Sequence, residues 1–181
     1  MSDARLTGVI GLDGHDGAGK TTLAVALAGV SGSAYVRPFS GAVGRELMAA
    51  AEKADTAAVA EIGRTALSGA LADHGRPLVL DRSWMTVASL MPATEFAACW
   101  SIWIPTVLCW SALPATLERL ASRSEEPRTA AWHRHYLERY LAISEQFGVP
   151  VLRTDDRTPA ECLALLLSEF APARPRVNPA S

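Results

Sequence analysis

The chain has 181 residues, 49% of them hydrophobic and 20% charged, with a formal net charge of −2. That length fits one domain with a sizeable core, and so large an apolar fraction excludes a disordered protein. Arg and Lys are dispersed along the chain, without the basic stripe of a duplex nucleic-acid binder, so nucleic acid is excluded as a main partner. Cys99, Cys109 and Cys162 form no CxxC pair; zinc ligation and a disulfide framework are disfavoured, and three buried thiols in a reducing compartment are expected. The opening "MSDARLTG" is too short and polar for a secretory signal. The apolar stretch Phe96 to Trp110 is interrupted by Pro105 and too short to span a bilayer. A cytoplasmic protein that does not enter a membrane is expected.

In chain order, the apolar run Leu6 to Leu12 reads as a buried strand. A helix rich in Ala and Leu follows over Thr21 to Ala28, ended by the "GVSGS" turn. Ala34 to Val36 is a short second strand stopped by Pro38. Helix is expected from Gly44 to about Lys53 and from Asp55 to His74, with Asp55 as N-cap. Pro77 to Asp81 is a third strand whose apolar run lacks polar alternation, as expected where helices cover both sheet faces. Thr106 to Trp110 is a fourth strand, and Pro114 sits in the first turn of the helix after it.

Trp132 to Phe147 forms a further helix, along which Trp132, Tyr136, Tyr140 and Phe147 recur near helical spacing. "VPVLRT" is a fifth strand, and Thr158 to Phe170 an amphipathic closing helix. Strands alternating with helices imply a parallel α/β sheet covered on both faces. One domain is expected over residues 1–171, with residues 172–181 as a disordered Pro-rich tail.

Chemistry concentrates in "GLDGHDGAGKTT", Gly11 to Thr22. Gly14-x4-Gly19-Lys20-Thr21 completes the pattern G-x-x-x-x-G-K-[ST] between a strand and a helix. Glycines allow a turn tight enough for several N–H groups to face one anion, and the helix start adds its positive dipole end. Gly14, His15, Asp16, Gly17, Ala18, Gly19, Lys20, Thr21 and Thr22 are therefore the candidates for the phosphates of ATP. Lys20, expected to stand exposed in the empty loop, would reach the β- and γ-phosphates, and the Thr21 hydroxyl would ligate Mg2+. Of the 17 Lys and Arg residues only Lys20 and Lys53 are lysines. Asp81, closing an apolar strand, has the form of a second magnesium-holding acid. The fold expected is a three-layer α/β/α P-loop fold with five parallel strands.

"DGHDGAGKTT", then "DRS", then "ERLASRSEEPR" together resemble the thymidylate kinases and their relatives, the deoxynucleoside kinases. Asp13, Gly14, Asp16 and Gly17 match that family's acid-Gly-x-acid-Gly loop, Asp81-Arg82 its Asp-Arg pair, and Arg119, Arg123 and Arg128 its arginine-rich lid, here about residues 119–130. The resemblance implies ATP-dependent phosphoryl transfer with Lys20, Asp81, Asp16 and Arg123 as catalytic residues and Arg119 beside the ATP phosphates. On the acceptor side it implies Asp16 at a sugar hydroxyl and Arg82 at an acceptor phosphate. Arg37 sits where the family places further acceptor-side residues, and Arg64 lies about one turn from another. The Gln, Tyr and Arg that usually read thymine are not visible in Ser83 to Trp100. Trp84, Met85, Phe96 and Trp100 could form an acceptor pocket instead, or could pack in the core or a dimer interface, which leaves a homodimer open.

Three readings remain at this point. The first is a kinase for a nucleotide or similar small phosphorylated acceptor, whose charge Arg37 and Arg82 would offset. The second is a kinase for an unphosphorylated nucleoside or metabolite, with Asp81 or Asp16 as base. The third is a nucleotide-binding sensor or assembly protein without turnover. A guanine-reading N-K-x-D is absent, which argues against a GTP switch.

Overall fold

The computed structural model describes residues 8–122 and 128–170. Five parallel strands form one sheet in the order β2-β3-β1-β4-β5. They are β1 (Val9–Asp13), β2 (Ala34–Val36), β3 (Leu78–Asp81), β4 (Thr106–Trp110) and β5 (Val151–Arg153). Consecutive residues serve opposite faces: along β3, Leu78 and Leu80 enter one core while Val79 enters the other. Both faces are thus buried, which is why these strands read as unbroken apolar runs.

The first core lies under α2 (Gly41–Glu52), α3 (Thr56–Asp73), α4 (Trp84–Ala88), α5 (Ala93–Cys99) and α7 (Ala130–Phe147). The second packs β1, β3 and β4 against α1 (Lys20–Ser31) and α8 (Pro159–Leu165), with Leu27, Cys109 and Cys162 among its members. The remaining helix, α6 (Leu113–Ala121), stands over the loop after β1: a Cβ on Gly17 would lie 3.1 Å from the Thr116 carbonyl oxygen. The three-layer architecture is the one expected from the sequence.

Several boundaries differ. Strand β1 runs on to Asp13, and α1 continues to Ser31, where Gly32 supplies the left-handed C-cap. Asp55 is the N-cap of α3, its carboxylate accepting from Ala58 N at 3.0 Å. The closing helix is α-helical only to Leu165 and continues as a π-helical turn to Phe170.

Two short helices, α4 and α5, occupy a stretch assigned no regular structure from sequence. Their length defeats a periodicity test, and what fixes them is burial. Trp84, Met85 and Phe96 are core residues, with Trp84 and Phe96 stacked at 5.9 Å. Trp100 joins them at 5.0 Å from Phe96. These four side chains are core, not an acceptor pocket. Cys99, expected to be buried, is exposed at the end of α5. Among the described residues no helix is long and apolar enough to cross a membrane. The proposed tail 172–181 lies outside the described residues.

The central strand dictates the site. Sequence neighbours β1 and β2 are separated in the sheet by β3, while β4 lies on the other side of β1. The chain therefore changes direction across the sheet at the carboxyl end of β1, where open α/β sheets leave a crevice for ligands. There Gly14 has φ +137°, and a Cβ on it would lie 2.1 Å from the Cys109 carbonyl oxygen. Gly14→Ala should therefore cost more than the ~1–3 kcal/mol of backbone strain alone, read as a large fall in melting temperature. Gly29→Ala, on the open face of α1 with nothing within 4 Å, should instead raise stability by about 0.5–1 kcal/mol.

Candidate active site

The loop after β1 is fastened from below by Asp13, which is fully buried. Its carboxylate accepts from Gly14 N at 2.9 Å, Ser83 N at 2.8 Å, Thr86 N at 2.9 Å and the Thr86 hydroxyl at 2.7 Å. Above it, Gly14 to Gly19 turn into α1, whose first residue is Lys20. Lys20 is buried rather than exposed: it is 6% accessible, and its Nζ donates to the His15 carbonyl oxygen at 2.8 Å. Burial, reinforced by the nearby Arg82, pulls its pKa down to about 8. A bound polyphosphate would replace the carbonyl as a stronger, charged partner.

Asp81 ends β3 beside Leu12, one residue from the end of β1, so its carboxylate faces the first turn of α1. Oδ2 accepts from Thr21 Oγ1 at 2.7 Å and from the Tyr35 hydroxyl at 3.0 Å, and Arg37 Nε lies at 3.4 Å. Burial and the adjacent Asp81 raise the Tyr35 hydroxyl to about 12, keeping it a donor. Thr21 and Asp81 come together as the sequence pattern implies. Tyr35 was not foreseen, although its place immediately before "VR" at a strand end put it within reach.

Arg82 has φ +82°, unusual for a side-chain-bearing residue. Its backbone N–H bonds to the Leu12 carbonyl at 2.9 Å while Asp13 takes the next amide, so the turn is held from both sides. The guanidinium forms an ion pair with Asp16 and reaches Gly14 O and Thr86 Oγ1 at 3.4 Å each. Arg119, on α6, donates to Gly17 O and Thr154 Oγ1 at 3.1 Å and to Thr154 O at 2.6 Å, joining the loop to the segment after β5. Arg123 lies outside the described residues. Arg64 pairs with Glu61 at 2.8 Å and contacts Cys99 O on α5, away from the loop.

A cavity of about 810 Å³ opens beside Asp16 and Arg82. One wall is α2 and its approach, with Phe39, Leu47 and Met48; the facing wall is α7, with Trp132, His133, Tyr136 and Tyr140. Of the aromatic residues spaced along this helix in the sequence, Trp132, Tyr136 and Tyr140 mark the cavity wall, while Phe147 packs in the core against Trp84 and Phe96. His15 leaves the loop toward this wall. Its Nε2 shares a hydrogen bond of 2.7 Å with His133 Nδ1, and its ring lies parallel to Tyr136 at 5.9 Å.

Among the described residues no group of three or more His, Cys, Asp or Glu could hold a resident metal. The oxygens of Thr21 and Asp81 suit a hard cation such as Mg2+ that takes most of its ligands from water and bound phosphate.

No family model matches the chain, and no curated protein matches it in sequence. Solved structures do match. Deoxyadenosine kinase from M. mycoides with bound dATP aligns with TM-score 0.63 and 13% identity, over 90% of this chain and 98% of that one. The same enzyme with products dCMP and a flexible dCDP gives TM-score 0.61 and 12% identity, over 90% and 97%. With bound dCTP it gives 0.58 and 14%, over 90% and 98%. The fold is shared. At such identity the likeness concerns architecture alone, and these neighbours belong to the deoxynucleoside kinases, the group named beside the thymidylate kinases in the sequence resemblance.

The histidine contact sets a pH dependence. Desolvation, aided by His133, Lys20 and Arg82 and opposed by Asp16, lowers His15 from 6.5 to about 4. The folded state then binds this proton less readily than the unfolded state, so the stability it contributes is present above pH 6.5 and is lost as pH falls toward 4. Between pH 7 and 5 the wild type should lose about 1–2 kcal/mol more than His15→Asn. Melting curves of both proteins across that range check this.

Proposed function

We propose that this chain is an ATP-dependent phosphotransferase that moves the γ-phosphate of ATP onto a small acceptor held in the cavity beside Arg82. The observation that carries this is that the loop leading to Lys20 and Thr21 lines one aromatic cavity through His15 and Asp16. Thr21 donates to Asp81 at 2.7 Å, and the Asp16–Arg82 pair lies on the cavity wall. A sensor needs the loop but has no need of an acceptor chamber opening onto it.

Phosphoryl transfer demands positioning and positive charge around the moving group more than covalent chemistry. In this reading the loop amides, Lys20 and Arg119 hold the donor phosphates, and Arg123 is the further catalytic cation that the family resemblance implies. Thr21 and Asp81 would hold Mg2+, which supplies charge neutralisation at the phosphates when bound. Asp16 accepts a hydrogen bond from the acceptor hydroxyl, and Arg82 donates to the oxygen that receives the phosphoryl group. ATP and the acceptor are the only partners this scheme requires.

An unphosphorylated nucleoside fits the charge state of the site best. The two arginines expected to face an acceptor phosphate, Arg37 and Arg82, each hold a carboxylate, Asp81 and Asp16. A hydroxyl can join the Asp16–Arg82 pair without parting it, whereas a dianion must displace Asp16. A nucleoside monophosphate is the second reading, favoured by Arg128, a further guanidinium on the same wall.

Lys20→Ala should remove ATP turnover, costing at least ~2–4 kcal/mol in the barrier, while the melting temperature holds because a buried charge is lost with it. Asp81→Asn should raise the magnesium concentration needed for half-maximal rate. ADP release measured across a magnesium titration checks both, and unchanged curves would remove these residues from the reaction.

Arg82→Lys separates the two acceptors. With a nucleoside acceptor kcat should fall about tenfold or more with KM little changed, since lysine lacks the planar fork. A monophosphate acceptor instead predicts a sharp rise in acceptor KM. Steady-state rates with both acceptor types decide it.

A further inference from the structure

The cavity offers its occupant ring faces and few hydrogen bonds from the side chains nearest the loop. Most of those side chains are already engaged within the protein. His15 is bonded to His133 at 2.7 Å, and Arg82 is paired with Asp16. The Thr86 hydroxyl donates to Asp13 at 2.7 Å, and the Ser89 hydroxyl to the Thr86 carbonyl at 2.8 Å. Arg128 lies over the Trp132 ring at 5.5 Å.

The side chain that matches the adjacent donor and acceptor of an adenine edge is a carboxamide, and this chain carries one glutamine and one asparagine. Gln146 is exposed near the end of α7, and Asn178 lies outside the described residues. Among the described residues no carboxamide faces the cavity.

What remains on the two walls is largely apolar surface and ring faces: Phe39, Leu47 and Met48 opposite Trp132, Tyr136 and Tyr140, whose polar atoms are the Trp132 indole N–H and the two tyrosine hydroxyls. Every nucleobase has a π-face, so aromatic stacking holds bases with little regard to their edges. At about 810 Å³ the cavity stands in the upper part of the roughly 300–1,000 Å³ range of small-molecule sites, with room for a purine or a pyrimidine. The magnitudes separate two designs. A pocket that discriminates by apolar fit alone manages roughly 10–200-fold, whereas one built to hydrogen-bond a particular edge reaches roughly 10⁴–10⁵-fold.

We propose that this cavity is a base-tolerant stacking site, which holds the nucleobase of the acceptor between the aromatic face of α7 and the apolar face of α2 and takes purines and pyrimidines alike. The proposal rests on the reading of this cavity as the acceptor side of a kinase, and it adds the chemistry by which the acceptor is recognised.

The test is calorimetric titration of the full chain, its phosphate loop first saturated with ADP, against deoxynucleosides and their monophosphates of all four bases. Within either series the dissociation constants should span no more than ~200-fold. Tyr136→Leu and Trp132→Leu should weaken all four bases together, and Tyr136→Phe, which keeps the ring, should change none by more than about twofold. A spread beyond ~200-fold, loss of a single base in Tyr136→Phe, or no binding of any base would overturn the stacking site. ADP release from the same preparation, started with ATP, tests the other layer. Four bases bound without turnover would sink the kinase reading and leave the stacking site standing.

Discussion

The buried carboxylate of Asp13 is the constraint on which the rest of the site depends. It ends the central strand with no access to water, a position that is costly for a charge unless its oxygens are fully bonded. The protein satisfies it with three backbone amides and the hydroxyls of Ser83 and Thr86. One amide belongs to the loop after β1 and the others to the turn after β3 and the first turn of α4. The same group thereby fixes the floor of the loop, the start of α4, and the left-handed turn that carries Arg82. Charge-assisted bonds of this kind are each worth more than neutral ones, and here they are spent on geometry.

From that fixed point the site assembles by proximity. Adjacent parallel strands end side by side, so Asp81 arrives next to Asp13 and within reach of Thr21 without any sequence-local signal linking them. Helix α6 closes one side through Arg119, which bridges the loop and Thr154. Helix α7 closes another side and is itself clamped to α4: Arg139 donates to the carbonyls of Ala88, Ser89 and Met91, completing the helix end that α4 leaves open. Two of the elements around the cavity, α6 and α7, are thus fastened by arginines and not merely by packing.

Electrostatically the site is poised rather than open. Lys20 is desolvated and leans on a backbone carbonyl, and the acidic and basic groups around it are paired. Such a site gains most from a ligand that brings its own negative charge to Lys20 and the loop amides, because a polyphosphate compensates a cation that burial has penalised. On the cavity side Asp16 and Arg82 are already paired, and the cavity walls beyond them are largely aromatic and apolar.

The sequence by itself determined the glycine-rich loop between β1 and α1, the alternation of strands and helices, and the acid at the end of β3. These are legible because their physics is local: a glycine pattern between an apolar strand and a helix, a run of apolar residues, a Pro at a helix start. The sequence also carried the aromatic spacing of α7, without saying what it faces. Tertiary structure alone decided the pairings, because His15 and His133 are 118 positions apart and Arg82 and Asp16 are 66 apart. It also turned Trp84 and Phe96 into core, where seven or fewer residues per helix gave no periodicity to read. Lys20 was placed wrongly from sequence because its burial depends on how the loop folds back on itself, with Nζ turned in to the His15 carbonyl.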